Sequence, residues 1–158
     1  MIGHVQSRKA ADVAAEFHWV HSVDSLKLAN RLSRFAHGAN RNLPVLLELN
    51  VGGEASKYGF PANDQQAFST NLDEIAQILE LPNVSVRGLM SIVPMSSEAS
   101  QARPFFARTR ILRDKLAAMF SSVNWDHLSM GMSGDFEAAI LEGSTMVRIG
   151  TAILGPRS

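Results

Sequence analysis

Short apolar runs alternate with amphipathic stretches along the whole chain. Six such runs lie at residues 2–5, 19–23, 45–51, 86–92, 127–130 and 146–149. Between them, apolar residues recur every three to four positions, as they do on one face of a helix. Leu28, Leu32 and Phe35 form one such stripe. The pattern predicts six β-strands that alternate with about five α-helices, which is typical of parallel strands joined by right-handed crossovers.

Capping residues and a proline suggest where several helices begin. Asp24 and Asp64 precede amphipathic stretches and are predicted to be N-caps. Pro104 is expected in the first turn of the following long helix, where a missing N–H costs nothing. Helices are also predicted over residues 6–16 and 133–141.

Two sheet architectures fit this alternation, a doubly wound sheet and a (β/α) barrel. Polar residues or glycines follow several strand ends, as at Ser22, Asn50, Ser91, Ser133 and Gly150. In a barrel these residues meet on one face, where such folds place their sites, so they favour the barrel. The predicted fold is therefore α/β, of the (β/α)8 TIM-barrel family, with about six of the eight βα units. Residues 1–158 are expected to form a single partial barrel domain.

Composition narrows the function classes. Lys+Arg and Asp+Glu are 15 each, and no block of like charge is present, which argues against a nucleic-acid partner. There is no cysteine, and so no thiolate nucleophile. No apolar run has the length of a membrane span, and the N-terminus lacks the pattern of a signal peptide. The expectation is a cytoplasmic protein without a membrane partner.

Two glycine-bearing turns near the C-terminal end carry the strongest functional signal. Ser133 and Gly134 follow one predicted strand, and Gly150 and Thr151 follow the last. Adjacent turns of this kind can direct N–H groups and hydroxyls at one phosphate, and barrels commonly bind phosphate after their last two strands. Arg148, inside the last strand, would then face the rest of the ligand. The pair of turns predicts a phosphorylated cofactor.

Each of these residues also has a purely structural interpretation. Ser133 can serve only as the N-cap of the following helix, and Gly150 with Thr151 can be a simple strand exit. Arg148 can pair with a carboxylate such as Glu142. The strand histidines, at positions 4, 21 and 127, are interpreted as structural, and their spacing indicates no metal site.

Several segments in order along the chain resemble the pyridoxal phosphate homeostasis protein family, which is related to the N-terminal barrel domain of alanine racemase. They are residues 2–9 (IGHVQSRK), 21–25 (HSVDS), 49–51 (LNV), 54–60 (EASKYGF), 88–92 (GLMSI), 129–135 (SMGMSGD) and 147–152 (VRIGTA). The resemblance implies binding of pyridoxal 5′-phosphate (PLP) and a role in PLP and amino-acid homeostasis without a well-defined reaction. It implies a phosphate site at Ser133, Gly134, Gly150 and Thr151, with Arg148 at the pyridine nitrogen. Asn50 and Met90 are candidates for lining the same pocket.

The resemblance also implies that two strands of the family barrel precede residue 2. The first of them carries the lysine that forms the Schiff base with PLP. Four lysines are present, at positions 9, 27, 57 and 115, and none matches that lysine. The chain is therefore expected to be N-terminally truncated, with weak or absent PLP binding and no catalytic residue.

Two alternatives to the homeostasis function stay open. One is a PLP-dependent amino-acid racemase like alanine racemase, although Tyr58 is the only tyrosine that could act as its base. The other is a non-functional fragment of a truncated gene. The complete family member is expected to be a monomer, whereas unpaired strand edges predict self-association of this chain.

Overall fold

The computed structural model describes residues 1–94 and 99–155, except for the side chains of Ala99 and Ser100. Within this part of the chain the strands are β1 (Val20–Val23), β2 (Leu43–Asn50), β3 (Phe60–Pro61), β4 (Val84–Ser91), β5 (His127–Met132) and β6 (Met146–Arg148). A 3-10 turn at Ser7–Lys9 leads into α1 (Ala10–Glu16), and the later helices are α2 (Leu26–Gly38), α3 (Gln65–Ser69), α4 (Leu72–Leu79), α5 (Ala99–Met119), α6 (Phe136–Leu141) and α7 (Thr151–Leu154).

The order of the strands in the sheet decides between the two predicted architectures. The sheet runs β1-β2-β4-β5-β6, and the short β3 pairs with the end of β2. Every pair is parallel. A doubly wound sheet reverses its strand order at a switch point, whereas here each long strand lies beside the next one along the chain. The prediction of a partial (β/α) barrel is confirmed.

The prediction of a strand at residues 2–5 is wrong. This segment lies beside β1, because the amide of His21 donates to the Met1 carbonyl at 2.8 Å and Ser22 Oγ donates to the Gly3 carbonyl at 2.6 Å. These two bonds do not make a ladder, so no strand forms there. The sixth strand is instead β3, which sequence periodicity missed because it has only two residues.

Helix starts agree with the predictions in part. Asp64 caps α3 and accepts from the Ala67 amide at 2.8 Å. The cap of α2 is Ser25 rather than Asp24, whose carboxylate accepts from the Ser25 hydroxyl instead. Pro104 lies inside α5 and not in its first turn. None of the described helices is long and apolar enough to cross a membrane.

The sheet has two different faces. The helices pack on one face against a continuous apolar core that includes Val45, Leu47 and Leu49 of β2. The opposite face is concave and carries His21, Glu48, Ser129 and Arg148, together with fully buried Leu46 and Met90. Its curvature is strong enough that His21 on β1 reaches Ser129 on β5, with β2 and β4 lying between them in the sheet.

Gly88 allows β4 and β5 to approach closely. Its φ is +146°, and a Cβ built there would lie 1.9 Å from the carbonyl oxygen of His127. That oxygen belongs to the backbone of the neighbouring strand and cannot move without disturbing the sheet. Only glycine fits this position, because any side chain would push the two strands apart.

We expect Gly88→Ala to lower the free energy of unfolding by about 3 kcal/mol or more, since both the conformation and the space exclude a Cβ. Urea denaturation of the two proteins measures the difference. Gly38→Ala is the matched control, because a Cβ there meets nothing within 4 Å. It should change stability by less than about 1 kcal/mol. Equal effects of the two substitutions would contradict the packing argument.

Exposed apolar side chains occur on β6 and on the helices before and after it in the sequence. Val147 on β6 is 38% exposed, although it lies on a strand. Nearby in sequence, four more apolar side chains are exposed on α6 and α7, namely Ile140, Leu141, Ile153 and Leu154. An unpaired strand edge with apolar neighbours is a template for association.

We expect the 158-residue chain to associate in a concentration-dependent way through this edge. Val147→Lys should reduce association, because a charge on an edge strand disfavours pairing with a second chain. Ile111→Lys, on the exposed face of α5, is the control and should leave association unchanged. Sedimentation velocity over a range of concentrations distinguishes the outcomes, and a wild-type monomer throughout would refute the expectation.

Candidate functional site

Ser133 joins the two turns that the sequence singled out. Its Oγ accepts hydrogen bonds from the amide of Gly150 at 3.1 Å and from the amide of Ala152 at 3.2 Å. Both donors lie where β6 ends and α7 begins. The turn after β5 and the turn after β6 therefore meet, with two N–H groups converging on one oxygen atom.

The prediction that residues 133–141 form one helix is wrong at its start. α6 begins at Phe136, and residues 133–135 form a turn before it. Asp135 stabilises this turn, since its carboxylate accepts from the Met132 amide at 2.6 Å. Ser133 consequently does not cap α6. Its hydroxyl serves the start of α7 instead, which only the tertiary structure brings near.

The other predicted phosphate-site residues surround this contact. Gly134 is exposed, and Thr151 is the first residue of α7 and also exposed. A Cβ built on Gly134 or Gly150 would meet no atom within 4 Å, so both glycines leave open space beside the turns. The geometry brings Ser133 and Gly150 into contact and leaves Gly134 and Thr151 facing solvent around them.

Arg148 extends from β6 across the concave face of the sheet. Its Nη1 donates to the carbonyl and to the Oγ of Ser129, each at 2.7 Å, and its Nη2 donates to the Ser91 carbonyl at 2.9 Å. Burial lowers the pKa of Arg148, while the negative charges of Asp135 and Glu48 act in the opposite direction. The guanidinium is thus a cation held by the last residue of β4 and by Ser129 in the middle of β5.

The structural alternative of an Arg148–Glu142 ion pair is wrong. Glu142 pairs with Arg103 at 2.6 Å and with Arg110 at 3.3 Å, both on α5. These contacts, with Arg103 the larger cause, hold the pKa of Glu142 below its ordinary value. Glu142 therefore fastens α6 to α5 on the helical side of the sheet, and Arg148 points to the other side.

Asn50 and Met90, the remaining predicted site residues, have different environments. The amide nitrogen of Asn50 donates to the carbonyls of Glu54 at 2.9 Å and Lys57 at 3.3 Å, so Asn50 fixes the loop after β2. Its Oδ1 is buried and has no hydrogen-bond partner among the residues that the structure describes. Met90 is fully buried on the concave face, between Glu48 and Ser129 in the strand register.

Glu48 and Ser129 are polar residues of the concave face that sequence reasoning missed, and His21 was interpreted only as structural. Glu48 is 7% exposed, and its Oε2 has no hydrogen-bond partner within residues 1–94 and 99–155. Burial, with a contribution from Asp24, raises the pKa of Glu48 to about 7, and Arg148 opposes the shift. The signal in the sequence was a charged residue inside the apolar run of β2, at a position that alternates with core residues.

An opening that is not lined by residues of the paired turns lies elsewhere on the described part of the chain. It has a volume of about 430 Å³ and is lined by residues that include His4, Asp24, Lys57 and Tyr58. The ring of His4 stacks on that of Tyr58 with their centroids 3.5 Å apart, and His4 Nδ1 lies 3.1 Å from Asp24. Lys57 pairs with Glu54 and donates to the Val93 carbonyl at 3.1 Å.

Comparison with known proteins identifies the family of this chain. The model of the alanine racemase N-terminal domain family matches residues 1–158, so the chain belongs to that family. A pyridoxal phosphate homeostasis protein of Pseudomonas aeruginosa is 45% identical over 156 residues, which cover 99% of this chain and 63% of that protein. A pyridoxal phosphate homeostasis protein of Aquifex aeolicus is 43% identical over 157 residues, which cover 99% of this chain and 65% of that protein. Within the family, the chain belongs to the pyridoxal phosphate homeostasis group.

Solved structures give the same assignment. PipY of Synechococcus elongatus, in a structure with PLP bound, is 34% identical and superposes with a TM-score of 0.85 over 97% of this chain and 68% of that chain. Alanine racemase of Clostridium difficile superposes with a TM-score of 0.69 at 18% identity, which indicates a shared fold alone. The chain spans less than two thirds of the length of the curated relatives just described.

The raised pKa of Glu48 predicts a pH-dependent stability. Because the pKa is about 7 in the folded chain and ordinarily 4.5, proton binding stabilises the fold at low pH. This stabilisation is lost as the pH rises from 4.5 through 7, and its full size is about 3 kcal/mol. Glu48→Gln should therefore become more stable relative to wild type as the pH rises from 5 to 8.5.

Urea denaturation at several pH values measures this difference between the two proteins. Glu80→Gln, at an exposed position after α4, serves as the control and should show no such trend. A wild-type protein and a Glu48→Gln variant that differ by the same amount at all pH values would contradict a pKa raised by burial of the Glu48 carboxyl group.

Proposed function

We propose that this chain binds PLP through the paired turns and Arg148, and that it acts in PLP homeostasis rather than in a defined reaction of its own. The observation that carries the proposal is the convergence of the Gly150 and Ala152 amides on the Ser133 hydroxyl, with the Arg148 guanidinium on the adjoining strand. A phosphate group and a pyridine ring require these two kinds of partner.

The turns fit a phosphate group chemically. Two amide N–H groups already converge on one oxygen atom, and a phosphate oxygen is the same kind of acceptor. The hydroxyls of Ser133 and Thr151 can donate to further oxygens, and the open space beside Gly134 and Gly150 admits a group of this size. The phosphate-binding role of Ser133, Gly134, Gly150 and Thr151 is part of the proposal.

Arg148 fits the ring end. PLP supplies an electron sink to reactions in which its ring nitrogen is protonated. A fixed cation at that nitrogen lowers the pKa of the nitrogen, so Arg148 would keep it unprotonated and weaken the electron sink. This arrangement suits a protein that holds PLP without promoting a vigorous reaction. Met90, buried beside Ser129 in the register, would line the same space, as would Asn50, whose Oδ1 has no hydrogen-bond partner among the described residues.

Binding by residues 1–158 is proposed to be noncovalent. By the family resemblance, none of the four lysines occupies the Schiff-base position. Lys9 is exposed and pairs with Asp12 at 3.1 Å, and Lys57 is engaged by Glu54 and the Val93 carbonyl. Any activity of a longer protein that contains this chain, and its partners in the cell, are likewise proposals, since the similar proteins extend beyond the matched region.

The test measures PLP binding to the 158-residue chain by fluorescence or calorimetry. We expect reversible binding, competition by inorganic phosphate, and a loss of at least about tenfold in affinity in Ser133→Ala, since the hydroxyl would hydrogen-bond to a charged group. Borohydride reduction followed by peptide mass spectrometry should find no lysine that carries a pyridoxyl group.

Ser121→Ala, at an exposed position between α5 and β5, is the matched control and should bind like wild type. Equal affinity of Ser133→Ala and wild type would reject the proposed phosphate site. A pyridoxyl group on Lys9 or Lys57 would reject noncovalent binding and assign the attachment to that lysine.

A further inference from the structure

The concave face contains a hydrogen-bonded chain that the phosphate site does not use. It runs from His21 on β1 to Ser129 on β5 and on to Arg148 on β6. His21 Nδ1 lies 2.9 Å from Ser129 Oγ, and Arg148 Nη1 lies 2.7 Å from the same oxygen. The first of these contacts joins residues 108 positions apart in the sequence.

Arg148 determines which atom donates and which accepts in each of these hydrogen bonds. A guanidinium can only donate, so Ser129 Oγ accepts from Nη1. The hydroxyl proton of Ser129 then has His21 Nδ1 as its acceptor. If Nδ1 carried a proton instead, the hydroxyl proton would have no acceptor among the described residues. His21 Nδ1 is therefore the acceptor, and the ring proton of His21 lies on Nε2.

The surroundings of His21 keep the imidazole neutral, as this arrangement requires. Burial lowers the pKa of His21 to about 4, and the positive charges of the N-terminus, Arg148 and His127 act in the same direction. The N-terminal ammonium is close because it donates to the Trp19 carbonyl at 2.6 Å. Trp19 also holds His127 edge-on, with their ring centroids 5.1 Å apart.

The hydrogen bonds that Arg148 makes to Ser129 and Ser91 determine which of its N–H groups remain available to a ligand. Both protons of Nη1 go to Ser129, one to its carbonyl and one to its Oγ, and one proton of Nη2 goes to Ser91. Nε–H and the second Nη2–H make no hydrogen bond with the described residues. Nε–H shares one edge of the planar guanidinium with one Nη2–H, and two donors on the same edge can act together on one ligand.

We propose that His21 is a positioning residue which, through the hydroxyl of Ser129, fixes the orientation of Arg148 and so selects the guanidinium edge that faces a bound pyridine ring. The choice of ligand rests on the proposed function, but the hydrogen-bonded chain does not. Asp135 and Glu48 are the negative groups that act on Arg148, and neither is needed to set the direction of the protons.

The first experiment needs no ligand. In long-range ¹⁵N–¹H spectra of the 158-residue chain, His21 should be neutral with its proton on Nε2 from pH 5.5 to 8. The exchange of the Arg148 Nη protons by rotation should be slow in wild type and faster in His21→Phe and Ser129→Ala. A proton on Nδ1, an ordinary titration of His21 near pH 6.5, or unchanged Arg148 rotation in both variants would overturn the proposal.

The second experiment separates the ring from the phosphate. PLP affinity should fall roughly three- to tenfold in His21→Phe, the loss expected for one hydrogen bond, whereas the affinity for inorganic phosphate should not change. His21→Gln, which retains an acceptor for the Ser129 hydroxyl, should recover part of the loss. His18→Phe, at an exposed position, is the control.

The outcomes of the two experiments are distinguishable. If the wild-type protein binds neither PLP nor phosphate, the proposed function is rejected. The spectra still test whether the hydrogen bonds from His21 through Ser129 to Arg148 are formed. Equal losses for PLP and phosphate in His21→Phe, or no loss for either, reject the positioning role. If His21→Phe does not fold, Ser129→Ala is subject to the same measurements and the same criteria.

Discussion

The guanidinium of Arg148 connects three neighbouring strands on the concave face, and the arrangement of the candidate site depends on it. A buried cation is costly unless its donors are satisfied. Here the backbone carbonyls of Ser91 on β4 and Ser129 on β5, together with the Ser129 hydroxyl, supply the acceptors. The same contacts fix the position of β6 relative to β5, so that the turn after β6 reaches Ser133. The ring-facing and phosphate-facing parts of the site are thereby kept in a fixed relation.

The concave face differs from the helix-facing side in chemistry as well as in shape. Apolar side chains fill the space between sheet and helices, whereas Glu48, Ser129, His21 and Arg148 occupy the other side. Three groups lie on this one curved surface. They are Glu48, whose pKa is raised to about 7, His21, whose pKa is lowered to about 4, and the positively charged Arg148. Groups whose environments move their pKa values in different directions are characteristic of functional sites. Their grouping supports assigning a ligand to this face and not to the outer grooves between helices.

Much of the fold could be predicted from periodicity alone. The alternation of apolar runs with amphipathic stretches located β1, β2, β4, β5 and β6, and the capping signal at Asp64 was correct. The predictions were wrong where two neighbouring residues could both cap a helix, or where a strand was too short to show a periodic pattern. Ser25 caps α2 although Asp24 is also a good cap, and the two-residue β3 gives no periodic signal. The segment before β1 has an apolar pattern, but a strand also requires a ladder of partners that this segment lacks.

The sequence by itself determined the strand and helix pattern, the pair of glycine-bearing turns and the position of Arg148 in a strand, because these depend on neighbours along the chain. It also carried the family resemblance, since motifs are local. Only the tertiary structure decided that Ser133 serves α7, that Arg148 turns away from Glu142, and that His21 meets Ser129. These contacts join residues far apart in sequence. They depend on sheet curvature, which arises from the twist and packing of all the strands together and leaves no local signal.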